Sequence, residues 1–348
     1  MTKLYIALEQ ALAVVSQHGQ GWKGENHLAG NNTQCVAVDP LRPEHVYCGT
    51  FGQGLWRSRN AGRTFEQVGE GITHNQITSV AVSETERSGD TGVVYAGTEP
   101  SALFRSEDGG NTWRELATLR ELPSAPTWSF PPRPYTSHIR WITPDPLVAG
   151  RLFAAVEAGA LLRSLDGGEH WEDRKPGGPF DTHTLVMHRL APGRLYSAAG
   201  DGFMQPGNGF VQSDDAGETW YRPGEGLHHH YLWGAAADPA DPLTIVISAA
   251  LGPQQAHNPM SALSALYRRS GKGSWQLLQD GLPAQQGTLA SVIAVNRAEA
   301  GIFYVANNRG VFRSTDAGRT WEQLSITWPA SLQESRPQAL VAASEAES

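Results

Sequence analysis

An all-β fold of radially repeated sheets is predicted by three observations. Five segments spell nearly one pattern, S-x-D-x-G-x-T-W: Ser58 to Phe65, Ser106 to Trp113, Ser164 to Trp171, Ser213 to Trp220 and Ser314 to Trp321. Each follows a short apolar run such as ALFR or GVFR, and the spacing of about 50 residues marks a repeat architecture. With 38 glycines and 22 prolines in 348 residues, the chain is also rich in turns.

Each element of the repeat has a physical reason. Asp108, Asp166, Asp215 and Asp316 are placed to accept hydrogen bonds from backbone N–H groups of their own turns, while Gly110, Gly168, Gly217 and Gly318 tolerate positive φ. The segment therefore reads as a tight corner between strands, and the aromatic residue that ends it is large enough to wedge between neighbouring sheets. Ahead of the corners lie β-rich runs: Leu4 to Leu8, Val46 to Thr50, Val94 to Thr98, Leu152 to Val156, Leu195 to Ala199, Thr244 to Ala249 and Phe303 to Asn307. The first and the sixth of these seven lead into corners that have lost a residue and the aspartate, ending at Trp22 and Trp275. Before every run but the first sits another apolar strand, such as Cys35 to Val38, Ser79 to Val82 or Ser291 to Val295. The chain thus starts inside a blade, and its missing inner strand must come from Gln338 to Ala343. The expected fold is a seven-bladed β-propeller of four-stranded antiparallel blades, the first closed by N- and C-terminal strands so that no sheet edge is left open. Blades of about 50 residues use up residues 1–343 as a single domain, followed by an acidic tail at 344–348.

The S-x-D-x-G-x-T-W segments resemble Asp-box (BNR) repeats, found in sialidases, tandem-propeller xyloglucanases, sortilin-type receptors and photosystem II assembly factors. The resemblance covers almost the whole chain and implies a propeller whose boxes lie on turns remote from the ligand face. It makes the box aspartates structural.

Composition narrows the function. A net charge of −8, from 27 Lys and Arg against 35 Asp and Glu and with no basic run, argues against a nucleic-acid partner. No apolar stretch is long enough to span a membrane, and the first residues lack a basic segment followed by an apolar core and a cleavage site, so a cytoplasmic location is expected. Cys35 and Cys48 fall on adjacent strands, where a reduced pair is expected.

Function is expected where the repeats disagree. With strands labelled A to D from the centre outward, the starts of the A strands and the B-to-C and D-to-A loops open on one face around the channel. Aligning the A strands on their ends (Asp39, Ser83, Thr143, His188, Asp238, Asn296) sets His138, His183 and Trp233 opposite Gln34, Thr78 and Ser291. Alternation puts Arg140 on the same side as His138. The ends of the B strands add Glu9, Glu99, Glu157 and Asp201. Three lengthened loops border blades four to six: Thr127 to His138 with Arg133, Asp201 to Gly209, and Leu251 to Ala262 with His257.

Titratable groups converging on a concave mouth are the default functional site. The expected ligand is a small polar molecule, anionic or carbohydrate-like. His183, Glu157 and Asp201 would catalyse its hydrolysis or elimination, and His138, Arg140, Arg133, Trp233, Glu99, Tyr231 and His257 would bind it. As a glycoside hydrolase the chain would use Glu157 and Asp201 as its carboxylate pair. If the histidines meet, His138, His183 and His230 could hold a divalent metal such as zinc, although no metal-ligand spacing motif is present. The competing readings are a non-catalytic assembly scaffold with a protein partner and, for the inner-strand histidines, polar residues that only hold channel water. The resemblance does not extend to a sialidase site, because the chain shows seven blades rather than six and no clear arginine triad; nor does it supply the second propeller of a xyloglucanase.

Overall fold

The computed structural model describes residues 2–19, 21–329 and 335–344. Its strands form seven sheets, six of which follow chain order from the channel outward. In the second blade these are Thr33–Val38, Val46–Thr50, Leu55–Ser58 and Glu66–Val68. In the third they are Gln76–Ser88, Thr91–Glu99, Leu103–Ser106 and Arg114–Glu115. The sixth has Tyr231–Asp238, Asp241–Ala250, Ser264–Arg269 and Gln276–Leu278, and the seventh Val292–Ala294, Phe303–Asn307, Gly310–Ser314 and Glu322–Gln323. In the fourth (Ile139–Pro144, Leu152–Val156, Ala160–Ser164) and the fifth (Thr182–His188, Ala191–Ala199, Phe210–Ser213) the outer strand shrinks to one bridge, Arg163 with Glu172 and Gln212 with Tyr221. The fold is a seven-bladed β-propeller, as the repeats predict.

The first blade closes the ring. Pro337–Ser344 is its inner strand and runs antiparallel to Thr2–Leu8, from Thr2 opposite Ser344 to Leu8 opposite Pro337, followed by Ala11–His18 and Gly21–His27. Ser344, assigned to the tail by the sequence, is part of this strand; residues 345–348 lie outside the described residues. A fifth strand not foreseen from the sequence, Ile326–Thr327, pairs in parallel with Trp22 and Lys23. The first two blades are tied by Thr33, whose buried Oγ1 accepts the Leu8 N–H at 2.8 Å and lies within 2.8 Å of the Leu8 and Ala11 carbonyls.

The corners behave as their chemistry dictates. Ser106 Oγ accepts the Gly110 N–H at 2.9 Å, Asp108 accepts the Thr112 N–H and hydroxyl at 2.9 and 2.7 Å, and the Trp113 indole donates to the Gly110 carbonyl at 3.0 Å. Gly110 sits at φ +88°, a conformation that only glycine adopts without strain. The same bonds recur at Asp215 and Thr219, and at Asp316 and Thr320.

The arginine of the preceding C strand then clamps blade to blade. Arg57 reaches the Gly109 carbonyl, Arg105 that of Gly167, Arg163 that of Ala216 and Arg268 that of Ala317, each on the corner of the next blade. Fully buried aromatic rings such as Tyr47, Tyr95, Tyr196 and Phe303 fill the space between sheets, each contributing about 1.5–3 kcal/mol of hydrophobic stabilisation. Both cysteines are free and buried, and burial pushes the Cys35 thiol up to about 12.

Candidate functional site at the channel mouth

The inner strands share one irregularity that builds the mouth. In six blades the ladder to the second strand skips at the same level, leaving Gln338, Gln34, Thr78, Arg140 and His183 as extra residues and setting Trp233 and Gly234 together opposite Ser248. A bulge re-aims the side chain it carries. Gln34, Thr78, Arg140, Trp233, Gly234 and Gln338 line a central cavity of about 390 Å³, while His183 stays buried behind it. At the far end Glu84 pairs with Arg189 and Arg297.

This register corrects the alignment made from sequence. Asp39 and Asp238 each accept the N–H two residues on, and the residue doing so in blade four is Asp145, not Thr143. Arg140 is therefore the counterpart of His183 and Trp233. His138 lies just before its strand, where it reaches the cluster from above.

Glu157, at the turn after Leu152–Val156, is the hub. Its Oε2 accepts the His138 Nε2–H at 2.7 Å and lies 3.7 Å from Arg140 Nε; its Oε1 is 3.8 Å from His183 Nε2. The Arg140 guanidinium stacks 4.4 Å over the Trp233 ring. Asp181 brings a second carboxylate, with Oδ2 at 3.6 Å from His183 Nε2 and Oδ1 fixed by the Ala158 N–H at 2.8 Å.

A chain of donors orients the rings. Arg336 Nη2 lies 2.6 Å from His257 Nδ1 and can only donate, so His257 Nδ1 accepts and its Nε2–H points to Tyr231 Oη at 3.1 Å. Tyr231 Oη is 3.5 Å from His183 Nε2, and His183 Nδ1–H donates to the Leu232 carbonyl at 2.6 Å.

Electrostatics separate the two carboxylates. Burial would raise Glu157, but the His138 hydrogen bond and the charges of His138, His183 and Arg140 outweigh it and hold the carboxyl below its ordinary range. Burial, reinforced by the Glu157 charge and opposed by His183, pushes Asp181 up. Burial and then the Arg336 charge lower His257 to about 3, so its ring is neutral. Burial raises the Tyr231 hydroxyl well above its usual range.

Of the residues singled out by sequence, His138, Arg140, Glu157, His183, Tyr231, Trp233 and His257 come together. Glu99 and Arg133 border them but occupy each other: Arg133 forks both Glu99 oxygens at 2.7 and 2.6 Å, which places its charge on Glu99 rather than on a ligand anion. Asp201 does not stand opposite Glu157. It opens the short helix Asp201–Met204, where its Oδ2 accepts the Phe180 and Asp181 N–H groups at 3.0 and 3.1 Å. It props the segment that carries Asp181 into the strand Thr182–His188. Among the described residues, the group with metal-ligand proximity is Glu157, Asp181 and His183, which leaves His138 and His230 outside. Sequence reasoning misses Asp181 and Arg336. Asp181 was within reach, because it stands two residues before His183 and alternation sets both on one side. Arg336 becomes visible only once the closing strand is placed.

No family model matches the chain. Segments of it are similar to two curated fungal proteins. One, an oligoxyloglucan-reducing end-specific xyloglucanase of Emericella nidulans, is 26% identical over 170 residues, 44% of this chain and 19% of that protein. The other, a probable enzyme of the same description from Neosartorya fischeri, is 28% identical over 103 residues, 27% of this chain and 12% of that protein. The matched segments thus span less than a fifth of either relative. Among solved structures, the Niastella koreensis GH74 enzyme superposes with a TM-score of 0.67 at 18% identity, covering 93% of this chain and 52% of that one. The GH74 xyloglucanase of Xanthomonas campestris gives 0.64 at 18%, covering 98% and 52%. YCF48 bound to D1 peptide gives 0.57 at 16%, covering 84% and 82%. At these identities the likeness establishes the shared propeller fold.

Proposed function

We propose that the mouth of blades four to six binds a small polar ligand of carbohydrate type and hydrolyses it. The observation that carries this reading is the Glu157 hub: two carboxylates face one buried imidazole beside an arginine stacked on tryptophan, and that arginine and tryptophan line a cavity of about 390 Å³. Trp233 offers a ring face for a sugar, Arg140 a hydrogen-bonding and charge-stabilising group, and Glu157 and Asp181 the carboxylate pair that glycoside hydrolysis requires. The segments similar to xyloglucanases support a hydrolase. The test is calorimetric titration with cello- and xyloglucan oligosaccharides, with chromatography of products. Binding should be lost in Arg140→Ala and Trp233→Ala, and turnover but not binding in Glu157→Gln. A parent that neither binds nor cleaves any member overturns the reading.

One observation favours a scaffold instead. Tyr135, Met204 and Met260, on the three lengthened loops, are 99%, 83% and 92% exposed, and Phe203 packs against Gly252 to join two of those loops. Such a rim suits a peptide, and YCF48 has been solved with one. Met204→Ser with Met260→Ser should leave sugar binding intact if the first reading holds.

A further inference from the structure

We propose that Glu157 Oε1, Asp181 Oδ2 and His183 Nε2 form a divalent-cation site, with zinc or a similar transition ion as occupant. This rests on the mouth being the functional site and changes the ligand set expected from sequence. All three atoms lie within 4.8 Å of one another. In each residue the other polar atom is already committed: Glu157 Oε2 to His138, Asp181 Oδ1 to the Ala158 N–H, and His183 Nδ1 to the Leu232 carbonyl. Outer partners of this kind fix the tautomer and rotamer of metal ligands.

The remaining atoms converge on one point. His183 is fully buried and its Nδ1–H is committed to Leu232, so its Nε2 holds either the proton that charges the ring or, once that proton is displaced, a metal; it faces two carboxylate oxygens at 3.6 and 3.8 Å, too far for a hydrogen bond of ordinary length. The nearest donor, Tyr231, is 3.5 Å away, and Arg336 keeps His257 behind it neutral. Three acceptors around one point call for a cation. Metal–ligand lengths of about 2.0–2.2 Å set neighbouring ligands closer than these spacings, so the set must contract, and the partly exposed Asp181 is free to do so. Imidazole with carboxylates suits zinc, iron or manganese. With the ion bound, Glu157 and Asp181 would serve as its ligands instead of as a free carboxylate pair, and the ion would polarise a substrate oxygen or activate water.

Gly200 supports the same geometry. A Cβ there would lie 2.0 Å from Asp181 Oδ2 and 2.9 Å from His183 Cε1, so the glycine leaves the room in which these two groups meet.

The test strips the full chain with chelator and titrates zinc, manganese and cobalt by calorimetry, with cobalt absorption as a spectroscopic signature. One equivalent should bind. Asp181→Asn, nearly the same shape, and His183→Gln should abolish uptake, His138→Ala should weaken it about 10- to 100-fold, and Met260→Ser, on the exposed rim, should leave it unchanged. A stripped parent that takes up none of the three ions, or variants that bind as well as the parent, would overturn the site. Oligosaccharide binding without metal uptake sinks this inference alone; metal uptake without binding of any sugar sinks the carbohydrate reading and leaves the cation site standing.

Discussion

Gly200→Ala probes the site by position alone, since it removes no chemical group. Gly200 has φ −74° and ψ −14°, a conformation alanine accepts, and its N–H is pinned to the Asp181 carbonyl at 2.8 Å. The added Cβ cannot swing away. It would sit 2.0 Å from Asp181 Oδ2, where ordinary contact begins near 3.4 Å, so the carboxylate must withdraw by about 1.4 Å. Misplacing a catalytic group by about 1 Å costs on the order of 100-fold in rate, while overpacking costs about 1–3 kcal/mol of stability. The expected variant folds, melts a few degrees below the parent, and loses about two orders of magnitude in turnover and metal affinity. Melting, zinc titration and product analysis on one preparation check this. A variant that turns over and takes up zinc like the parent would refute the placement of Asp181.

Other consequences follow from the scaffold. Thr33→Val leaves the buried Leu8 N–H without its acceptor and should cost about 1–3 kcal/mol in denaturant unfolding. Trp113→Ala removes a buried wedge and its indole hydrogen bond; a loss of about 3–5 kcal/mol is expected by the same measurement. Asp215 is held at about 2 by the Thr219 hydroxyl and amide, below its ordinary 3.8. Its stabilisation is present above about 3.8 and lost as pH falls toward 2, so Asp215→Asn should be less stable than the parent at pH 7 and converge with it on acidification. A stability gap unchanged between pH 7 and pH 2 would contradict this. Deleting residues 337–348 removes the inner strand of the first blade and should abolish the cooperative melting transition, because it bares an edge the ring otherwise seals.

The scaffold was legible because its signals are local. A corner needs serine, aspartate, glycine and an aromatic residue at fixed offsets, so even the decayed copies at Trp22 and Trp275 could be recognised by what was left, and the closing strand followed from a missing partner. The site was legible only in part, since it depends on register between strands far apart in the chain. Anchoring blade four on Thr143 instead of Asp145 moved the frame by two residues, which promoted His138 to the place Arg140 holds. The same limit hid the exchange of Asp201 for Asp181. Both are acidic and both flank the mouth, and only the hydrogen bonds of Asp201 to the Phe180 and Asp181 amides show that one supports the other. Arg336 belongs to no repeat and acts through His257.

A crystal structure of the protein with the tightest-binding oligosaccharide tests the central claim most directly. The expected density lies at the mouth of blades four to six, stacked on Trp233 and within reach of Arg140, Glu157 and Asp181. Density at the Glu84 end of the channel or on the outer face of the blades, with the mouth unchanged, would contradict it.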